Sequence, residues 1–173
     1  MRREELIESY IRNKEVLDVG SVGQTEDYDL WSFIKERAKK ATGIDTEPST
    51  DNSIVRGSIE STTFEKKFDV VVLGDVLEHV DNQGLVLDNV RKHLKDDGVM
   101  IVTTPNAKWL TVAFRPNPTH TAWHDKYTIF NILQRHGFRV KHFQFYCGNK
   151  RRYSLFKRLL ASRQAMIVVC GKV

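Results

Sequence analysis

The sequence predicts an α/β protein with a doubly wound sheet of seven strands, mostly parallel with an antiparallel last strand, in a single domain over residues 1–173. Short apolar runs alternate with segments of helical spacing, which is typical of this class. The run from Phe68 to Leu73 is continuously apolar, as in strands that are buried on both faces of a parallel sheet. A chain of 173 residues can enclose one substantial core but not two.

The apolar pattern places each element along the chain. Strands are predicted at residues 15–19, 41–45, 54–59, 68–73, 99–103, 138–146 and 165–169. Helices are predicted at residues 1–14, 28–40, 85–94 and 127–136. The stretch TEPSTDNS, residues 46–53, is rich in turn-forming residues, so the crossover helix expected there is predicted to be short or absent. Gly137 is well placed to end the last helix.

Composition indicates a soluble globular protein, because 40% of the residues are apolar and 28% are charged. The apolar runs are much shorter than the roughly 20 residues that span a bilayer. The N-terminus, MRREELIESY, lacks the apolar region of a secretory signal, so a cytoplasmic location is expected. Cys147 and Cys170 have no metal-binding spacing and are interpreted as buried thiols, and no metal site is predicted.

Charge is unevenly distributed along the chain. Residues 1–125 hold 16 Lys/Arg and all 22 Asp/Glu, whereas residues 126–173 hold 11 Lys/Arg and no acid. The basic segment 149–163 has apolar residues on one side, so its default interpretation is a packed helix with a solvated face. Contact with an RNA backbone or with an anionic membrane surface is the alternative.

Acidic residues lie at the ends of two predicted strands, where a charged ligand could bind. Asp18 lies in VLDVGSVG, residues 16–23, beside glycines that would let a ligand approach the backbone. Asp45 ends the second strand, where an acid can accept hydrogen bonds from ribose hydroxyls. The alternative is that both acids cap loops or helices.

Four motifs in this order resemble the strand ends of the class I S-adenosylmethionine-dependent methyltransferases, which have a Rossmann-like fold. They are VLDVGSVG, GID, FDVVVLGDVLEHV and GVMIVTTPN. The third, residues 68–80, is similar to the branch that contains quinone-biosynthesis O-methyltransferases and many enzymes encoded among glycan genes. The resemblance runs from about Val16 to Phe145.

The resemblance implies S-adenosylmethionine as cofactor and S-adenosylhomocysteine as product. The implied cofactor site comprises Asp18, Gly20, Ser21 and Gly23 at the methionine part, Asp45 at the ribose, Ser58 and Ile59 beside adenine, and Leu73, Gly74 and Asp75 beneath the sulfonium. The chain departs from the family pattern where Val22 and Gln24 occupy usual glycine positions. It departs again at Ser58, where the family often has an acid that binds the adenine amino group.

The connection 106–126 is too long for a plain loop and is expected to form the acceptor side. Its His120 and Trp123 resemble an H-x-x-W element of the same branch. His120, His124 and His79 are candidates for the base that removes a proton from a hydroxyl acceptor. A second copy of the chain is an alternative way to complete this pocket.

The expected activity is methyl transfer, most readily to oxygen, on a small-molecule or glycan-type acceptor. Two alternatives remain open. One is an RNA methyltransferase that uses the basic C-terminal face, and the other is a catalytically degenerate domain that serves as a binding module.

Overall fold

The computed structural model describes residues 3–23, 29–109, 117–147 and 163–173. The strands are β1 (Glu15–Val19), β2 (Lys40–Asp45), β3 (Ile54–Arg56), β4 (Phe68–Gly74), β5 (Leu94–Pro105), β6 (Phe138–Tyr146) and β7 (Ala165–Lys172). The helices are α1 (Arg3–Ile11), α2 (Leu30–Arg37), α3 (Gln83–His93) and α4 (Lys126–Arg135). In these four ranges, no helix is both long and apolar enough to cross a membrane. The basic segment lies almost wholly outside the described residues, from 149 to 162.

The strands form one sheet in the order β3-β2-β1-β4-β5-β7-β6. Strands β1 to β5 pair in parallel, whereas β7 runs antiparallel to both of its neighbours, β5 and β6. The predicted fold class, a doubly wound, mostly parallel sheet with an antiparallel last strand, is therefore confirmed. The sequence did not reveal that β7 inserts between β5 and β6.

Helices cover both faces of the sheet, and β4 is buried between them. Val71 and Leu73 belong to one apolar cluster, together with residues of α3 and α4. Val70 and Val72 belong to the other cluster, together with residues of α1 and α2. All four valine and leucine side chains are essentially inaccessible, so this strand needs apolar residues at each position from Val70 to Leu73.

The connection after β2 contains turns instead of a crossover helix, as its composition predicted. Asp51 holds these turns, because its carboxylate accepts hydrogen bonds from Trp31 Nε1 at 3.0 Å and Lys35 Nζ at 2.7 Å on α2. The third strand is shorter than predicted and ends at Arg56. Residues 57–59, which were predicted to belong to this strand, therefore lie beyond its carboxyl end.

A buried amide holds this segment against α3. The Asn89 side chain donates hydrogen bonds to the carbonyl oxygens of Ile59 and Thr62, both at 2.7 Å. Asn89 is only 6% exposed, so these carbonyls would have little access to water without it. One polar side chain on α3 therefore fixes the backbone that follows β3.

Replacing this amide is expected to destabilise the fold. Asn89→Ala should lower the free energy of unfolding by about 2 kcal/mol, because two carbonyls lose their partner. Urea denaturation measures the change. Lys92→Ala, on the exposed side of the same helix, should stay within about 0.5 kcal/mol of the wild type. Equal stabilities of the two variants would contradict the assigned role of Asn89.

Candidate active site

A cleft of about 700 Å³ opens at the carboxyl ends of β1, β2 and β4. Its walls include Gly20, Asp45, Asp75 and the segments 57–60 and 79–81. The strand order reverses direction here, since β2 lies on one side of β1 and β4 on the other. Such switch points are where open α/β sheets bind ligands. The volume suits a small molecule or cofactor.

The first wall of the cleft follows β1. Asp18 is 1% exposed, and neither of its carboxylate oxygens has a hydrogen-bond partner among the described residues. Burial raises the pKa of this carboxyl to about 7. Gly20 has a φ of +79°, and a Cβ there would come within 2.9 Å of Val76 Cγ2. The sequence thus provides a bare, left-handed backbone next to a buried acid.

Asp45 ends β2 and is hydrogen-bonded to the loop that follows β1. Its Oδ2 accepts a hydrogen bond from the Val22 backbone N–H at 2.8 Å, and its Oδ1 accepts one from Glu47 at 2.9 Å. A carboxylate oxygen can accept two hydrogen bonds, so both oxygens can still bind a ligand hydroxyl. The non-glycine residue Val22 is compatible with the loop because its backbone is not in the left-handed conformation, and its N–H still reaches the acid.

Asp75 follows β4 in the left-handed conformation, with φ of 56°. Its N–H points to Thr103, at 3.1 Å from both the carbonyl and the hydroxyl oxygen. The guanidinium of Arg3 lies 3.7 Å from Asp75 Oδ2. Burial raises the pKa of Asp75, while Arg3 opposes that shift. The acid is thus held rigidly at the edge of the cleft.

His79 lines the cleft with one ring nitrogen held by the protein. Its Nδ1 lies 3.3 Å from the Thr119 carbonyl oxygen and 3.2 Å from the Thr119 hydroxyl. That hydroxyl donates its proton to Asn117 Oδ1 at 2.9 Å, so it faces Nδ1 as an acceptor. The network therefore assigns the ring proton to Nδ1, and Nε2 carries a lone pair that can accept a proton.

Behind His79 lies a buried acid that the sequence analysis did not include in the site. Glu78 is 1% exposed, and its carboxylate has no hydrogen-bond partner within the described ranges. Burial, reinforced by the Asp75 carboxylate, raises the pKa of Glu78 to about 8. Ligand atoms of Glu78, His79 and His120 lie within 4.8 Å of one another. This set could share protons or hold a divalent cation, although the sequence predicted no metal site.

The other two candidate histidines differ in their positions. The His120 ring lies between His79 and Trp123, with ring centroids 4.6 and 4.7 Å away, so it adjoins the cleft through His79 and does not itself line it. Burial and the neighbouring His79 lower the pKa of His120. His124 is buried, and its Nε2 lies 2.9 Å from the Gln83 amide nitrogen. The structure does not bring His124 to the cleft.

The predicted cofactor residues divide into lining and supporting groups. Those that line the cleft are Gly20, Gly23, Asp45, Ser58, Ile59, Gly74 and Asp75. Three others, Asp18, Ser21 and Leu73, are buried behind the lining. Ser21 supports the first loop, because its hydroxyl donates a hydrogen bond to the Asp18 carbonyl at 3.0 Å. Gln24, in the same loop, lies outside the described residues.

The sequence is similar to those of known methyltransferases. A family model described as a methyltransferase domain matches residues 2–142. The ubiquinone biosynthesis O-methyltransferase of Rickettsia conorii is 28% identical over 105 residues, which cover 56% of this chain and 36% of that protein. The protein of the same name from Nitrobacter winogradskyi is 31% identical over 90 residues, 46% of this chain and 34% of that one. The chain thus spans little more than a third of these relatives' length.

Solved structures share the fold at low sequence identity. A SAM-dependent methyltransferase from Archaeoglobus fulgidus has a TM-score of 0.72 at 20% identity, covering 98% of this chain and 94% of its own. The 1,6-didemethyltoxoflavin-N1-methyltransferase of Burkholderia thailandensis was solved with its substrate and S-adenosylhomocysteine. It has a TM-score of 0.71 at 15% identity, covering 98% of this chain and 76% of its own.

The raised pKa of Asp18 predicts how stability depends on pH. Between the ordinary carboxyl pKa of 3.8 and the folded value of about 7, the folded protein keeps a proton that the unfolded chain has released. Stability should therefore fall as pH rises through this window. Asp18→Asn lacks this titration, so it should gain on the order of 2 kcal/mol relative to the wild type between pH 5 and 7. Urea unfolding across this range measures the difference, and parallel curves for the two proteins would contradict it.

Proposed function

Because the chain belongs to the family of class I S-adenosylmethionine-dependent methyltransferases, we propose that it transfers a methyl group to a hydroxyl oxygen of a small-molecule or glycan-type acceptor. The observation that carries the proposal is the meeting of Asp45, Asp75 and His79 around one cleft. The printed name of the curated relatives, O-methyltransferase, supports oxygen as the acceptor atom.

The residues of the cleft fit the family's cofactor. S-adenosylmethionine supplies an electrophilic methyl group on a positively charged sulfonium. Asp45 offers acceptors to two ribose hydroxyls, and the backbone of Gly20 lines the cleft with it. A ligand with positive charge at this end of the cleft would favour the ionised forms of Asp75 and Glu78, whose pKa values burial raises.

The protein's own part in the reaction is alignment and proton removal. In-line methyl transfer needs the acceptor oxygen held against the methyl group with water excluded. His79 stands at the cleft wall with Nε2 able to accept the hydroxyl proton. The rings of His120 and Trp123 continue from it and offer a surface on which a planar or sugar-ring acceptor can pack.

Direct titration tests the cofactor part of the proposal. Isothermal titration with S-adenosylmethionine should give saturable binding. Asp45→Asn should weaken it about tenfold, because a charge-assisted acceptor is lost. Glu47→Gln, an exposed acid two residues away, should leave the affinity unchanged. No heat from the wild type at millimolar cofactor would contradict the proposal.

His79→Gln tests the base. With catechol and a methyl glycoside as probe acceptors, release of S-adenosylhomocysteine should fall at least about 100-fold, while cofactor affinity is retained. His136→Gln, on the far side of α3, should keep the wild-type rate. Activity that is lost in EDTA and restored by Mg²⁺ would contradict the base role. In that case Glu78, His79 and His120 would hold a cation that activates the acceptor.

A further inference from the structure

Two acids line the cleft in addition to the residues at the ends of β1, β2 and β4. Glu60 follows β3, and Asp81 follows the His79 turn; both line the cleft. Neither belongs to the cofactor residues that the sequence predicted. Both acids are placed to contact part of a bound ligand.

The strand order gives the direction in which the cofactor would lie, on the premise of the proposed function. The sheet runs β3-β2-β1-β4 across the cleft. Asp75 and His79 at β4 define the reactive end, and Asp45 at β2 defines the ribose position. The base, which is attached to the ribose on the side away from the methyl group, then lies beside the segment after β3, residues 57–60.

Ser58 is engaged in the local turn. Its hydroxyl oxygen accepts a hydrogen bond from the Glu60 N–H at 3.2 Å. A hydroxyl is uncharged and therefore a weaker hydrogen-bond acceptor than a carboxylate, and this one already accepts a bond from the protein. The backbone turn that it stabilises nevertheless brings the Glu60 side chain to the cleft.

Glu60 is half-buried and fixed. Its Oε1 accepts a hydrogen bond from the Asn82 backbone N–H, the N-cap of α3, at 2.9 Å. One oxygen of the carboxylate is thereby tied to the protein, and the other is the acceptor left for a ligand. Asp81 is exposed and lies at the rim of the cleft.

We propose that Glu60 recognises the base of the cofactor, accepting a hydrogen bond from the exocyclic amino group of adenine. A carboxylate offers only acceptors, so it selects a purine with a donor at position 6. Hypoxanthine carries an oxygen there, which would face the negative charge and be rejected. Glu60 is thus a specificity-determining residue that replaces the acid missing at Ser58.

The substitution Glu60→Gln reverses this preference. Asn82 needs an acceptor, so the amide oxygen should stay with Asn82 and the NH₂ group should face the base. That group repels an amino group and donates to a carbonyl oxygen. The variant should therefore bind the adenine form less tightly and the hypoxanthine form more tightly than the wild type.

Calorimetry with S-adenosylhomocysteine and S-inosylhomocysteine as the two probes tests the proposal. The wild type should prefer the adenosyl form by at least about tenfold. In Glu60→Gln the adenosyl form should weaken by about tenfold and the inosyl form should gain affinity. A gain of binding cannot result from unfolding. Adding Ser58→Asp to Glu60→Gln should restore the adenosyl preference.

Two further variants control the result. Glu65→Gln, an exposed acid in the same segment, should change neither affinity, and Asp81→Asn should leave their ratio unchanged. If the ratio of the two affinities stayed unchanged in Glu60→Gln, or changed in Asp81→Asn instead, the role of Glu60 would be overturned while the proposed function would stand. Failure of the wild type to bind either probe would overturn the proposed function and the inference with it.

Discussion

The parallel pairing of β1 with both β2 and β4 is the constraint on which the rest of the structure depends. Its register places Val19 opposite Ile44 on one side and opposite Leu73 on the other, so the three strands end at one level. Parallel neighbours require crossovers: the chain leaves β1 toward β2 on one side and returns from β3 to β4 on the other side of β1. The cleft is the gap between these two connections. Residues that follow the three strands must meet there, however distant they are in sequence.

The electrostatics of the cleft follow from the same geometry. Strand ends in a parallel sheet are buried by helices on both faces, so Asp18 and Glu78 lose water without gaining a described partner. Their raised pKa values are the direct result of that burial. A fold that optimised stability alone would use apolar residues at both places. Near pH 7 the Glu78 carboxyl is therefore mostly protonated and that of Asp18 partly so, and a positive charge bound beside them, such as the proposed sulfonium, would favour their ionised form.

Apolar runs in the sequence predicted the strands whose bounds depend on burial. The strand Phe68–Leu73 and the whole of β6 were placed within a residue, because continuous or alternating apolar runs specify them. The start of β5 was missed, since Lys95 to Gly98 resemble a turn, yet Lys95 pairs with Asp69 on β4 at 2.9 Å. In the site, Asp45 and Asp75 could be predicted because Asp45 ends β2 and Asp75 directly follows β4. Glu60 could not, because its position depends on a contact with Asn82.

Hydrogen bonds connect the proposed acceptor loop after β5 to the segment 78–80 at the cleft. The Glu78 carbonyl accepts a hydrogen bond from the Thr121 N–H at 2.7 Å, and the Thr121 hydroxyl donates to the Val80 carbonyl at 2.8 Å. Thr119, two residues earlier, holds the His79 ring. The long loop after β5 therefore fixes both the backbone around His79 and the tautomer of its ring. A change of acceptor specificity through this loop would also alter the proposed base, which ties substrate choice to catalytic competence.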